Sequence, residues 1–385
     1  MSAPESAPPN GADHADPAEL VRSAVEAGVV PGAVLLTGRG ATDPGRACAF
    51  GRTAAGPPGV PVTPDTVYDL ASLTKVVATT PAVLRLADEG ALRLDDPVRR
   101  HLPTFTGSGK GEVTISQLLS HSSGLPPHRD FWRLPGTPAD RVAAVLGEGL
   151  EHPPGTVVRY SDLGFILLGE IVAAVTAQPL DRAVRALVLD PLRLADTGYL
   201  PAPDLRARCA ATEAPPGGEP KVGTVHDENA ESLGGVAGHA GLFGTAPDLA
   251  RYLRLGWLAE DSPILSVGVR AEALRCRTSG LDGVRGLGWT LRGDTWDHTR
   301  DPWPRSAAGH TGFTGTSLAF DPVTGVWAVL LTNAVHLGRG PRVRELRKAV
   351  HAAVAHCPPP SPPVHASGSY STDSDSVGFS HDSSR

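Results

Sequence analysis

Strand-type segments stand at both ends of this chain, and helical periodicity fills the stretch between them. Asp16-Pro17 is a helix start, a capping side chain followed by proline in the first turn, and the helix it opens over 18–27 stops at Gly28. Residues 32–37 and 46–50 then read as strands around a Gly/Pro turn. Helices are expected over 76–89, 116–120, 141–147, 163–176 and 180–189, joined by Pro/Gly loops. Strands return over 287–291, 306–311, 316–320 and 326–331, the last two joined by the turn Asp321-Pro-Val-Thr-Gly325, and 342–355 reads as a closing helix. Segments of one kind at both ends can share a sheet only if the middle is a separate layer. The expected class is therefore α/β plus all-α: one sheet built from both ends of the chain, with an inserted helical domain. The expected division is a lead over 1–15, a sheet domain over 16–68 and 240–357, a mainly helical insert over 69–239, and a tail over 358–385.

Composition narrows the function classes. The 385 residues are 41% hydrophobic, enough for a sizeable core, whereas lead and tail are Pro/Ser/Asp-rich with little to bury and are expected to be disordered. A net charge of −6 provides no general basic field for nucleic acid or anionic lipid, so neither is expected as a partner. No apolar run reaches the length of a membrane span. The first twenty residues have neither a basic nor an apolar region, so no secretory signal is expected and the cytoplasm is the expected compartment. Cys48, Cys209, Cys276 and Cys357 are scattered, which suits reduced, mostly buried thiols. The histidines lack metal-ligand spacing, so neither metal nor other cofactor is expected.

Three short motifs carry chemistry. In Ser72-Leu-Thr-Lys75, positions i and i+3 of a helix share a face, so hydroxyl and ammonium can meet. A serine in a first helical turn also has free backbone N–H groups and the positive dipole end beside it. Tyr160-Ser161-Asp162 stands at the entrance of an apolar helix, and His310-Thr311-Gly312, followed by Phe313, ends a strand. Each alone is weak: a capped helix with a surface lysine, a packing tyrosine and a chance triplet explain them equally well.

In this order they are not weak. The chain resembles the penicillin-recognising serine hydrolases, whose pattern is Ser-x-x-Lys, Tyr-x-Asn, then Lys-Thr-Gly or His-Thr-Gly. Two further blocks, Ser116-Gln-Leu-Leu-Ser-His-Ser-Ser-Gly-Leu-Pro126 and the stretch from Gly235 through Thr245-Ala-Pro-Asp-Leu-Ala250, extend the likeness over about residues 17–356. The resemblance implies a β-lactamase/transpeptidase-like fold, an antiparallel sheet flanked by helices with the helical domain inserted, with Ser72 as acylated nucleophile, Lys75 as its partner and Tyr160 as general base and acid. It also implies an oxyanion hole made by the N–H groups of Ser72 and Phe313, with Thr311 and Gly312 beside the substrate.

Two departures bear on the substrate. Asp162 stands where the family pattern has asparagine; a carboxylate cannot donate to a substrate amide but can pair with Lys75 and keep it charged. His310, for lysine, weakens the positive anchor for a substrate carboxylate. Both favour a small, less anionic ester or amide. His128, His226 and Asn229 are weaker candidates for the cleft, whereas His121 and His239 read as structural. The expected function is a serine hydrolase passing an acyl group through Ser72 to water. The alternatives are a cytoplasmic transacylase of natural-product assembly, a D-Ala-D-Ala carboxypeptidase or β-lactamase, and an idle binding module. Nothing in the sequence bears on oligomeric state, and a monomer is consistent with it.

Overall fold

The computed structural model describes residues 15–56 and 58–356; the expected lead, residue 15 apart, and the expected tail lie outside them. Among the described residues, nine strands form two sheets. The larger, in the order β2-β1-β9-β8-β7-β6, consists of β1 (Gly32–Arg39), β2 (Arg46–Gly51), β6 (Thr290–Leu291), β7 (Ala308–Thr311), β8 (Ser317–Phe320) and β9 (Val326–Thr332), every neighbouring pair antiparallel. Its strands come from the two ends of the chain, and β1 joins them by pairing with β9, Leu35 opposite Leu330.

The apolar run of β1 explains its central place. Ala33 and Leu35 pack with Val21, Leu330, Val343, Leu346 and Val350, the layer formed by helices Pro17–Glu26 and Arg342–His356. Val34 and Leu36 point the other way, into the main core with Val329 and Leu331. A strand covered on both faces reads as a continuous apolar run, not as alternation. The Asp16 cap accepts from Ala18 N at 2.9 Å as expected.

The smaller sheet, β3-β5-β4, is made of β3 (Tyr68–Asp69), β4 (Gly198–Tyr199) and β5 (Leu242–Gly244). It ties the entry of the helical stretch to its exit. The helix Asp162–Thr176 is apolar on nearly all sides and lies in the core, which runs without a break from the helical stretch to the large sheet. Among the described residues, no single helix is long and apolar enough to cross a membrane.

Three expectations need correction. The strand expected over 287–291 forms only at Thr290–Leu291, because Gly288 turns the chain at φ +81° and donates to Leu119 O. Thr80 Oγ1 would lie 2.2 Å from a Cβ at Gly288, so the turn demands glycine. The strand expected over 306–311 starts at Ala308, since Ala307 N closes a turn onto Pro304 O. Of the thiols, Cys209 is buried and Cys48 partly so, but Cys276 is exposed; all three are free, and Cys357 lies outside the described residues.

Candidate active site

Ser72 is placed by the strand before it. Asp69, at the end of β3, accepts from Ala71 N at 2.8 Å and from His226 N at 2.7 Å. That grip holds Ala71 at φ +47°, a left-handed conformation that costs a residue with a Cβ and is enriched at functional sites. Past Ser72 the chain tightens: Lys75 N bonds to Ser72 O, and Lys75–Thr79 winds as a π-helical turn. Ser72 thus lies just ahead of the regular helix rather than inside its first turn. Nothing in the motif Ser-x-x-Lys announces Asp69 or the strain at Ala71.

The Lys75 ammonium is wholly buried and uses all three of its donors: Ser72 Oγ at 3.1 Å, Asp162 Oδ1 at 2.8 Å and the carbonyl of His239 at 3.1 Å. Burial alone would drive off its charge, but Asp162 and Tyr160 more than offset that and hold its pKa above the usual lysine value. Asp162, also penalised by burial, is held far below the ordinary carboxylate range by Lys75 and His128. The second Asp162 oxygen lies 3.4 Å from His128 Nδ1, and Asp162 first raises the His128 pKa through that bond. The expected Lys75–Asp162 pair therefore exists, and His128 joins it from a side chain that is 46% exposed.

Tyr160 precedes the helix Asp162–Thr176, which Ser161 caps by accepting from Gly164 N. Its ring lies 4.6 Å from that of His121 and 6.0 Å from that of His310, with Lys75 Nζ 4.9 Å from its centroid. His310 is neutral: burial, then the charges of Lys75 and Arg285, push its pKa down to about 3. Its Nδ1 faces Thr311 O, and its buried Nε2 has no hydrogen-bond partner among the described residues.

The turn after β7 completes the arrangement. Gly312 N donates to Thr316 O at 2.7 Å, and a Cβ on Gly312 would meet Thr316 Oγ1 at 2.1 Å and Leu70 O at 2.5 Å. Phe313 follows, 58% exposed, its ring stacked 5.6 Å from that of His226. Among the described residues, neither Ser72 N nor Phe313 N is used by a hydrogen bond within the fold, as an oxyanion hole requires.

Ser72, Tyr160, His310, Thr311, Gly312 and Phe313 all line one cavity of about 650 Å³. None of the three weaker candidates does; His128 meets Asp162 instead. His226 is bound to Glu213 at 3.0 Å and supports Phe313 from behind. Asn229 is buried and has both ends of its amide engaged, by Trp132 N and Arg129 O, so it fastens the loop that carries His128. His239, read as structural, does bond to Asp227 at 2.8 Å, yet its carbonyl also reaches Lys75. The net charge concealed a local reversal: Arg300, Arg344 and Arg347 line the cavity, and none is ion-paired among the described residues.

A serine bonded to a buried ammonium, a tyrosine beside them and two unpaired N–H groups are the parts of a serine acyl-transfer enzyme on a β-lactamase-type fold. The chain belongs to the beta-lactamase family, whose profile matches residues 18–353. A protein of Escherichia coli (strain K12) with the provisional name D-alanyl-D-alanine carboxypeptidase is 36% identical over 323 residues, covering 72% of this chain and 71% of its own. Among solved structures, EstCE1, a hydrolase with promiscuous acyltransferase activity, is 25% identical at a TM-score of 0.68, covering 87% of this chain and 97% of that one. A class C beta lactamase from Rhodobacter sphaeroides shares the fold at 22% identity and a TM-score of 0.69, covering 89% of this chain and 99% of that one.

Proposed function

We propose that this chain hydrolyses a small ester or amide through an acyl-enzyme on Ser72, with Tyr160 as the proton carrier. One observation carries the assignment of the base: every donor of the Lys75 ammonium is engaged, and one of them points at Ser72 Oγ. A charged, saturated ammonium has no lone pair to accept the serine proton. His310 is a poor acceptor at a pKa of about 3, which leaves Tyr160 in the cavity.

The steps follow. Ser72 Oγ bonds to the substrate carbonyl carbon as its proton passes to the Tyr160 oxygen, and the developing oxyanion is held by the N–H groups of Ser72 and Phe313. Collapse breaks the bond to the alcohol or amine, which leaves with the proton from Tyr160. Water then repeats the sequence on the acyl-enzyme, restoring Ser72 and releasing the acid.

The neutral His310 supports a substrate with little charge near Ser72. A second reading has its own observation: the guanidinium groups of Arg300 and Arg344, which make no ion pair among the described residues, suit a substrate carboxylate, and the Escherichia coli relative bears a carboxypeptidase name. EstCE1 motivates a third, transfer of the acyl group to an added alcohol or amine.

Intact-protein mass spectrometry during turnover of a p-nitrophenyl ester, beside Ser72→Ala, tests the core of this. An acyl adduct on the parent protein and none on the alanine variant is the expected result. Equal turnover by both would end the proposal and bring a binding role forward. The same adduct, challenged with water, an amine or a D-Ala-D-Ala peptide, ranks hydrolysis, transfer and peptidase activity.

A further inference from the structure

A tyrosine that takes a proton from serine must work as a phenolate, and its free pKa near 10 makes that form scarce at neutral pH without cations beside it. Lys75 is one such cation, 4.9 Å from the ring centroid. Position 310 carries a histidine, neutral in this burial, and so supplies none.

The loop before β6 places a second cation over the same ring. The Arg285 guanidinium carbon lies 5.9 Å from the Tyr160 centroid, and its side chain is only 3% exposed. It is held in place from behind: Nη1 donates to Thr290 Oγ1 at 2.7 Å and Nη2 to Asp294 Oδ1 at 3.0 Å. Asp294 is itself anchored, accepting from Val284 N and Trp296 N at 2.8 Å each. Arg285 Nε, buried, has no hydrogen-bond partner among the described residues.

The surroundings of Tyr160 leave few other charges. On its own helix, Asp162 is consumed by Lys75 and His128. From the loop after the 115–119 helix, His121 presents a ring whose pKa is driven well below its usual value by burial. From β7, His310 is neutral as well. Lys75 and Arg285 are the two positive charges facing the ring, and a guanidinium does not lose its proton at working pH.

We propose that Arg285 is a positioning residue that supplies the second positive charge of the acylation site, stabilising the Tyr160 phenolate in place of a lysine at position 310. It rests on the assignment of Tyr160 as proton carrier. It extends that assignment by naming a residue outside all three motifs. Burial lowers the Arg285 pKa below the usual guanidinium value, and Asp294 and then Tyr160 oppose that fall.

The test is the pH dependence of acylation by a neutral p-nitrophenyl ester, followed between about pH 5 and pH 9. Arg285→Gln/Asp294→Asn removes both charges and keeps a polar side chain at each position. Its acidic limb should move up by about one pH unit, with a rate about ten-fold lower at pH 7 and largely recovered at high pH. Adding His310→Lys to that variant should draw the limb back. A limb that stays where it was, with a uniform loss at every pH, overturns the proposal and leaves Arg285 a packing residue. A limb that moves but is not drawn back by His310→Lys overturns the claim that the charge is what matters. If the amide pair does not fold, by thermal melting, Arg285→Met/Asp294→Leu reads the same limb, since an apolar pair commonly replaces a buried ion pair without loss of folding. The Ser72 adduct is weighed separately: its absence from the parent protein defeats the acyl-enzyme reading, whereas an intact adduct with an unmoved limb defeats only the role of Arg285.

Discussion

The Asp162 carboxylate sits 2.8 Å from the Lys75 ammonium, which is wholly buried and also donates to Ser72 Oγ. Its effect is to fix a charge. Both partners are pulled away from their neutral forms, so Lys75 acts on Ser72 by electrostatics and hydrogen bonding and not by taking its proton.

Asp162→Asn should therefore change what the site prefers. Asparagine still accepts from Lys75 and adds a donor that a substrate amide carbonyl can use. The rate of β-lactam acylation relative to ester hydrolysis should rise, by about ten-fold for one added hydrogen bond. Removing the carboxylate also leaves the buried Lys75 charge without its counterion, at a cost to stability of about 3 kcal/mol. Parallel stopped-flow assays with a chromogenic cephalosporin and a p-nitrophenyl ester, with urea unfolding alongside, measure both. An unchanged ratio contradicts the account of Asp162 as a substrate-selecting residue.

Tyr160→Phe keeps the ring that packs 4.6 Å from His121 and deletes only the oxygen. Loss of a general acid–base group typically costs about 10²- to 10⁴-fold, and the deficit should lie in kcat rather than KM. A variant with near-parent kcat would transfer the proton-carrier role elsewhere in the cavity.

How much of this was legible beforehand follows from the reach of each interaction. Ser72, Lys75, Tyr160 and the turn after β7 are visible because each motif is local, and their order along the chain multiplies weak signals. The sheet was legible for a related reason: β1 and β9 are apolar runs bounded by turns, and only pairing across the two ends satisfies both. The short strands β3, β4 and β5 were not, since two or three residues carry no periodicity. Arg285, the carbonyl of His239 and the brace from Asp69 are silent in the sequence because they matter only through contacts formed across long loops. Asn229 misled for the opposite reason: a polar residue near the glycine-rich block looks available until the fold shows Trp132 and Arg129 on its amide.

Gly312→Ala should damage the oxyanion hole by packing alone. The added methyl would meet Thr316 Oγ1 at 2.1 Å and the Leu70 carbonyl at 2.5 Å, so the turn carrying Phe313 N must move away from Ser72. Overpacking of this kind costs about 1–3 kcal/mol of stability. Loss of one oxyanion donor adds a fall of about 10²-fold or more in kcat. Activity at the parent level, in a variant that melts normally, would show that the turn absorbs a methyl group and that its glycine is dispensable.

Acid should unfold this protein earlier than its carboxylates alone would predict. His121, His298, His310 and His351 are buried and held neutral, each by burial first; His298 and His310 are pushed down to about 3, and the other two lie well below the usual value. In the unfolded chain each titrates near 6.5. Below that pH the unfolded state binds protons that the folded state refuses, so stability is complete above about pH 6.5 and falls as the pH drops toward about 3. For His298 and His310, pushed down to about 3, the loss between pH 7 and pH 5 is roughly 2 kcal/mol each, and His121 and His351 act in the same direction. Asp162 adds nothing in this window, because its own contribution begins to fade only below about pH 4. Urea unfolding at pH 7, 6 and 5 measures the slope, and His310→Gln should reduce it by the share of one proton. A stability that stays level over those two units would mean that these rings gain protons in the folded state, and the neutral His310 on which the site is built would have to be given up.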